Sequence, residues 1–249
     1  MFYLVVLKII SFEIIFFSIF VFFDSNKNYN MDYDKKGVAY YSNVRHDLLQ
    51  LIDDKSQNLK VLEIGAAYGE TLFFMKSKGI ASEVVGVELF EDHNNRNNYK
   101  PLDNFIFGNI EDINLTQYEN YFDLILLADV LEHLIEPKKV LDKIKKYLSL
   151  NGKVIISMPN IRHYSAVKKI FLQGNFQYEE SGIFDYTHMR FYCRKNIRQL
   201  LESSGYKIEV QESSIKNYIG KSFTKTFNKI TFGFFEEFLA YQYFFVVSK

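Results

Sequence analysis

From residue 41 onward, short β-rich runs alternate with segments of helical period, and this alternation constrains the architecture more than any other feature. Lys60-Val61-Leu62-Glu63-Ile64 reads as a buried strand ending at Gly65. The helix that follows carries Leu72, Phe73 and Met75 and stops near Gly79. Further strands are expected over Glu83–Glu88, Phe105–Phe107, Phe122–Leu127 and Lys153–Met158. Pro137 stands where a first-turn proline belongs. Behind it Val140, Leu141, Ile144, Tyr147 and Leu148 form an apolar stripe, opposite a solvated face of Lys138, Lys139, Lys143, Lys145 and Lys146. Helices over Tyr41–Ile52 and Lys195–Ser204, a turn at Asn151-Gly152, and strands over Lys207–Gln211 and Tyr241–Val247 complete the pattern. Strands alternating with helices of this length imply an α/β fold, a parallel sheet with helices on both faces. Such sheets bind ligands beyond the carboxyl ends of their strands.

Composition removes several classes of function. An apolar share of 48% supports a real core. One cysteine excludes a disulfide scaffold and a cysteine-rich zinc site. Thirty basic and thirty acidic residues give no net charge, so no nucleic-acid partner is expected.

Residues 1–23 are nearly all apolar, broken by Lys8, Ser11 and Glu13. The length suits a membrane anchor, although two charges near mid-membrane each cost on the order of 2–3 kcal/mol. The polar segment from Met31 to Gly37 would make an ordinary amino terminus, so residues 1–30 read as an anchor or as an extension from an upstream start. Residues 31–249 then form one domain.

Chemistry is expected where the first strand turns into its helix. In Glu63-Ile64-Gly65-Ala66-Ala67-Tyr68-Gly69, Gly65 and Gly69 let the backbone bend and approach a ligand closely. A dinucleotide fingerprint would need glycines at 65, 67 and 70, whereas this chain has Ala67 and Glu70. Glu70 would repel a pyrophosphate at the helix start. A phosphate-free ligand with a positive centre tolerates Glu63 and Glu70. Glu88, at the end of the second strand, suits a ribose diol.

These segments resemble the class I S-adenosylmethionine (SAM)-dependent methyltransferases, over about Tyr40 to Val210. Val61 to Gly69 resembles that family's first motif, with Ala67 where glycine is usual, and Val85-Gly86-Val87-Glu88 resembles its acidic ribose motif. Gly108-Asn109-Ile110-Glu111 is similar to the adenine-holding segment, with Asn109 in place of Asp. Phe122 to Ile125 and Asp129-Val130-Leu131-Glu132-His133-Leu134 resemble the fourth-strand motif of small-molecule methyltransferases. The resemblance implies a Rossmann-like, mainly parallel seven-stranded sheet with an antiparallel last strand. It implies SAM as cofactor, held by Glu63, Gly65, Ala67, Gly69, Glu88, Asn109, Ile110 and Asp129. SAM is intracellular, so the catalytic domain would face the cytoplasm.

Ser157 to Tyr164 and Gly182 to Tyr192 are similar to a subgroup associated with bacterial surface-polysaccharide biosynthesis, as is the leading run Tyr40 to Arg45. The acceptor is then expected to be a hydroxyl of a sugar or glycan precursor. Methyl transfer to oxygen needs a group to take the acceptor's proton, and histidine suits near neutral pH. His188 is the leading base, oriented by Asp185; His133, His163 and Arg190 are expected to contact substrate. His46 and His93 read as surface residues. No histidine spacing resembles a metal-ligand set, so no metal is expected. Two rival readings remain: a quinone or lipid methyltransferase, which gives the apolar head a purpose, and a catalytically silent binding module. Phe223, Phe227, Ile230, Phe232, Phe234, Phe235 and Phe238 are expected to be buried against the sheet, with a homodimer or membrane contact as the alternative.

Overall fold

The computed structural model describes residues 42–53, 55–215 and 223–249. The apolar head and Tyr40-Tyr41 lie outside these residues. Seven strands form one sheet: β1 (Leu59–Ile64), β2 (Ala81–Glu88), β3 (Asn104–Phe107), β4 (Phe122–Ala128), β5 (Leu148–Pro159), β6 (Lys207–Ser213) and β7 (Gln242–Ser248). Their spatial order is β3-β2-β1-β4-β5-β7-β6. All pairings are parallel except those of β7, which runs antiparallel to both β5 and β6. The expected α/β sheet with an antiparallel last strand is therefore observed.

Residues alternate along the central strands between two cores. Leu62, Ile64, Val85, Val87, Ile125, Leu127, Val154 and Ile156 join one cluster; Val61, Val84, Leu124, Leu126 and Ile155 join the other. A strand buried on both faces favours apolar residues at successive positions, as in the runs Leu124 to Leu127 of β4 and Val61-Leu62 of β1. Glu63 interrupts that run and is buried with it. Helix α1 (His46–Leu49) precedes β1, α2 (Glu70–Ser77) follows it, and α3 (Pro137–Tyr147) joins β4 to β5. Short α4 (Tyr164–Val167) leads from β5, and α5 (Arg194–Ser203) packs ahead of β6.

Three expectations change. The helix over Tyr41–Ile52 shrinks, among the described residues, to His46–Leu49, because Arg45 leaves helical geometry at φ −80°, ψ 66°. Asn151-Gly152 is no turn between elements. It lies inside β5, where the register jumps as Phe122 pairs with Leu148 and Leu124 with Lys153. A Cβ on Gly152 would stand 2.7 Å from the Phe122 carbonyl oxygen, so glycine permits this bulge. The apolar residues expected to be buried in and after α6 (Phe223–Ile230) are largely exposed, Phe227 is half-buried, and the side chain of Phe223 lies outside the described residues. Ile230 is 69%, Phe232 98% and Phe234 84% exposed, and Phe235 and Phe238 are also exposed. Residues from both faces of the central strands already join two buried clusters, and none of these five residues is a member of either. Among the described residues, no helix is long and apolar enough to cross a membrane.

Candidate cofactor and acceptor site

The carboxyl ends of β1, β2 and β4 converge at one edge of the sheet, and the polar residues of the site stand there. β1 ends at a turn in which Gly65, Ala67 and Gly69 all have positive φ, at 74°, 51° and 84°. A Cβ on Gly65 would stand 2.9 Å from Val130 Cγ2, so the turn needs glycine for space as well as for conformation. Ala67 adopts the left-handed conformation with a methyl group, which costs an L-residue roughly 1–2 kcal/mol. Ala67→Gly is therefore expected to stabilise the protein by about 0.5–1 kcal/mol after glycine's extra unfolded-chain entropy is subtracted. Thermal melting should show Tm higher by about 1–4 °C; a lower Tm would mean that the methyl group packs favourably.

Glu88 grips this turn. Its Oε2 accepts from the Ala67 backbone N–H at 2.8 Å, and its Oε1 accepts from the N–H groups of Leu89 at 2.9 Å and Phe90 at 3.3 Å. Burial pushes its carboxyl above the ordinary value, against these three backbone hydrogen bonds. An ionised carboxylate has about four lone-pair positions, so the same side chain retains capacity for a ribose hydroxyl. Glu63 lies on the neighbouring strand, buried, with no hydrogen-bond partner for Oε2. Desolvation pushes it up to about 8; Arg45 opposes the shift and Glu88 adds to it. Glu70 opens α2 and pairs with Lys100 at 3.0 Å. Asn109 Oδ1 accepts from the Glu111 N–H at 2.9 Å and shapes the turn after β3, while the Ile110 side chain packs into the core.

Asp129, just past β4, also has positive φ, at 56°. Its carboxylate accepts from Arg45 Nη1 at 2.8 Å, from Ser157 Oγ at 2.9 Å and from the Gln242 amide. Arg45 donates in addition to Asp47 and Ser157. The segment before α1 is thus pinned to the ends of β4, β5 and β7. Asp129 lay inside a sequence motif, but its partners Arg45, Ser157 and Gln242 lie 28 to 113 residues away in the chain. No local pattern connects them.

The second part of the candidate site is built from the one-turn segment Leu131–His133 and the loop 182–190. The Glu132 carbonyl accepts the N–H groups of Met189 at 2.9 Å and Arg190 at 3.0 Å, which joins the two segments. His188 and His133 are brought together, with ring centroids 4.7 Å apart. His188 Nδ1 lies 3.0 Å from the Ile183 carbonyl oxygen, and His133 Nδ1 lies 3.0 Å from that of Thr187. A carbonyl only accepts, so each Nδ1 carries the hydrogen, and in the neutral rings the lone pairs sit on Nε2. The group at His188 Nδ1 is therefore a backbone carbonyl, where the sequence suggested Asp185. Asp185 Oδ1 instead accepts from the Thr187 N–H and hydroxyl, at 2.9 and 2.6 Å, and so fixes the carbonyl that orients His133.

Two residues expected to contact substrate also hold the protein's own loops. Arg190 donates to the carbonyls of Leu134 at 3.4 Å and Ile135 at 2.5 Å, so its guanidinium ties two loops together. His163 caps α4, with its Nδ1 2.8 Å from Ser165 Oγ and accepting from the Ser165 N–H; burial lowers its pKa. Glu132 lies within the fourth-strand motif, which assigns it no role. The signal was a carboxylate inside an otherwise apolar Val130-Leu131-Glu132 run, and its side chain is fully buried.

The architecture resembles that of several solved structures. A SAM-dependent methyltransferase from Mesorhizobium loti is 13% identical and superposes with a TM-score of 0.58, over 82% of this chain and 96% of that one. One from Archaeoglobus fulgidus is 21% identical, with a TM-score of 0.56 over 82% and 92%. The [4+2]-cyclase SpnF is 12% identical, with a TM-score of 0.54 over 82% and 78%, so this fold also carries other chemistry. No curated protein matches the sequence. Residues 36–211 match the family described as "Methyltransferase domain", which spans the glycine turn, Glu88, Asp129 and the Glu132-to-Arg190 cluster. On that match, the chain belongs to the methyltransferase-domain family.

Proposed function

We propose that this protein transfers a methyl group from SAM to a hydroxyl of a small polar acceptor, of the sugar or glycan-precursor class. The observation that carries the cofactor half is the pair of buried carboxyl groups, Glu63 and Glu88, flanking a glycine-bent turn at the strand ends. Such a turn suits close approach of a nucleoside. A buried carboxyl with an unpartnered oxygen suits a ligand with a cationic centre and no phosphate. Glu88, Asn109 and Ile110 are assigned to the adenosine end, and Glu63 and Asp129 to the methionine end.

In the transfer, the acceptor oxygen attacks the methyl carbon in line with the carbon–sulfur bond. The bonding pair stays on sulfur as a neutral thioether, and the hydroxyl proton must leave. Holding oxygen and methyl group in line supplies much of the acceleration. The Glu132–His133–His188 cluster is assigned to the acceptor oxygen and to removal of its proton, with His188 Nε2 as the accepting atom. The concentration of polar side chains there favours a hydroxylated acceptor. Similarity of the segments 157–164 and 182–192 to enzymes of surface-polysaccharide biosynthesis supports the sugar class.

Calorimetry with SAM and its demethylated product tests the cofactor assignment; failure to bind more tightly than millimolar overturns it. His188→Ala is expected to lower kcat by about 10²–10⁴-fold, the usual worth of general-base assistance, with SAM affinity nearly unchanged. A loss of SAM affinity instead would make His188 a structural residue. Methylation of a quinol in preference to nucleotide sugars would replace the proposed acceptor class.

A further inference from the structure

Glu132 is the most unusual side chain of the acceptor end. It has no exposed surface, and neither carboxylate oxygen has a hydrogen-bond partner among the described residues. Buried polar groups are nearly always paired, because leaving one unpaired costs its whole desolvation penalty. A proton on Glu132 would not resolve this, since no acceptor stands within hydrogen-bonding reach of either oxygen. The neighbourhood is acidic as well: Asp129 and Asp185 add to the burial that raises the Glu132 carboxyl, with Arg45 opposing.

Two imidazoles converge on this carboxylate. His188 Nε2 is 3.9 Å from Glu132 Oε1. One potential ligand atom from each of Glu132, His133 and His188 lies within 4.8 Å of the other two. Both rings are oriented through Nδ1 by backbone carbonyls, which leaves the lone pair on Nε2. An imidazole held this way, with its far nitrogen donating to a carbonyl, is the usual form of a metal ligand. Bonds of about 2.0–2.2 Å to a cation need donor atoms roughly 3–4 Å apart, within reach of small side-chain rotations.

We infer that Glu132, His133 and His188 bind a divalent cation of the first transition row. Two imidazoles and one carboxylate suit Zn²⁺, Co²⁺ or Mn²⁺ better than Mg²⁺ or Ca²⁺, which prefer oxygen donors. One cation satisfies the orphaned carboxylate, with one nitrogen donor drawn from each ring. Three protein donors also leave coordination positions open, as in catalytic rather than structural sites. An acceptor oxygen bound there becomes more acidic, and its proton passes to solvent as the methyl group arrives. His188 then acts as a ligand, which revises its role as base. This part of the inference rests on the proposed acceptor reading; binding of the cation does not.

The test uses the full chain, stripped with a chelator and titrated with Co²⁺ by visible absorption and with Zn²⁺ by calorimetry. One equivalent is expected to bind. Glu132→Gln, His133→Ala and His188→Ala should each weaken binding beyond the roughly 10–100-fold typical of losing an outer partner of a ligand. His93→Ala, at an exposed residue outside the cluster, should change nothing. Zn²⁺ should raise the Tm of the wild-type protein but not that of Glu132→Gln, the conservative variant that decides the matter if a histidine variant misfolds. No binding, or binding unchanged by Glu132→Gln, overturns the site. SAM affinity, measured on the same samples, separates the two readings: cation binding without SAM binding sinks the cofactor assignment alone.

Discussion

Glu88→Ala is expected to lose SAM affinity by 100-fold or more and to lower Tm by about 6–12 °C. The stability loss comes from the turn. Three backbone N–H groups, of Ala67, Leu89 and Phe90, donate to this carboxylate. Removing it leaves them to whatever water reaches them, and a buried unsatisfied group costs about 1–3 kcal/mol. A total near 3 kcal/mol corresponds to the quoted shift at roughly 2–4 °C per kcal/mol for a domain of this size. The affinity loss has two sources: the ribose contacts assigned to Glu88, each worth about 1.5–3 kcal/mol as a hydrogen bond to a charged group, and the relaxed turn. Glu88→Gln should fall between the variant and wild type. Its amide oxygen can serve one side of the turn, but its NH₂ meets N–H donors on the other. Thermal melting and SAM calorimetry check both effects. An alanine variant that binds SAM within threefold of wild type would remove Glu88 from the cofactor site.

The strands were legible because a sheet covered on both faces favours continuous apolar runs, and Val61-Leu62, Val84-Val85 and Leu124 to Leu127 are such runs. The glycine turn and Glu88 were legible because backbone geometry at a strand end is a local property. Longer-range features were hidden. Arg45 reaches Asp129 across 84 residues, and that contact, rather than helical period, shapes the start of α1. Asp185, Arg190 and His163 are polar residues in segments that the sequence marks for the site, and within the protein they bond to a hydroxyl, two carbonyls and a helix terminus. Composition and spacing do not distinguish a substrate ligand from a loop fastener, since both need polar side chains in the same places. Phe232 and Phe234 mislead for the opposite reason, because apolar character alone does not provide a free face to pack against.

The pH dependence of stability without ligand should be large and should trace to Glu63. Its folded-state carboxyl is pushed up to about 8 by desolvation, from 4.5 in the unfolded chain. Between these values the folded state holds a proton that the unfolded state has released, so stability falls as pH rises. This contribution is fully present below pH 4.5, declines through the interval, and is lost above about pH 8. A shift of three to four units corresponds to something on the order of 5 kcal/mol across the whole range. Glu88 is raised in the same direction and adds to the wild-type slope, so Glu63→Gln is the informative comparison. Denaturant unfolding at pH 5 and pH 8.5 should show a clearly smaller loss in that variant. A slope equal to that of wild type would mean that Glu63 is ionised at neutral pH. Ligand binding turns the same group around. A cationic ligand placed beside Glu63 favours its ionised form, so SAM binding at pH 7 should release protons and tighten as pH approaches 8. Calorimetry in buffers of different ionisation enthalpy reads that release directly, and Glu63→Gln should abolish it. The residue that makes the empty site unstable at alkaline pH thereby gives the site its preference for a positive centre.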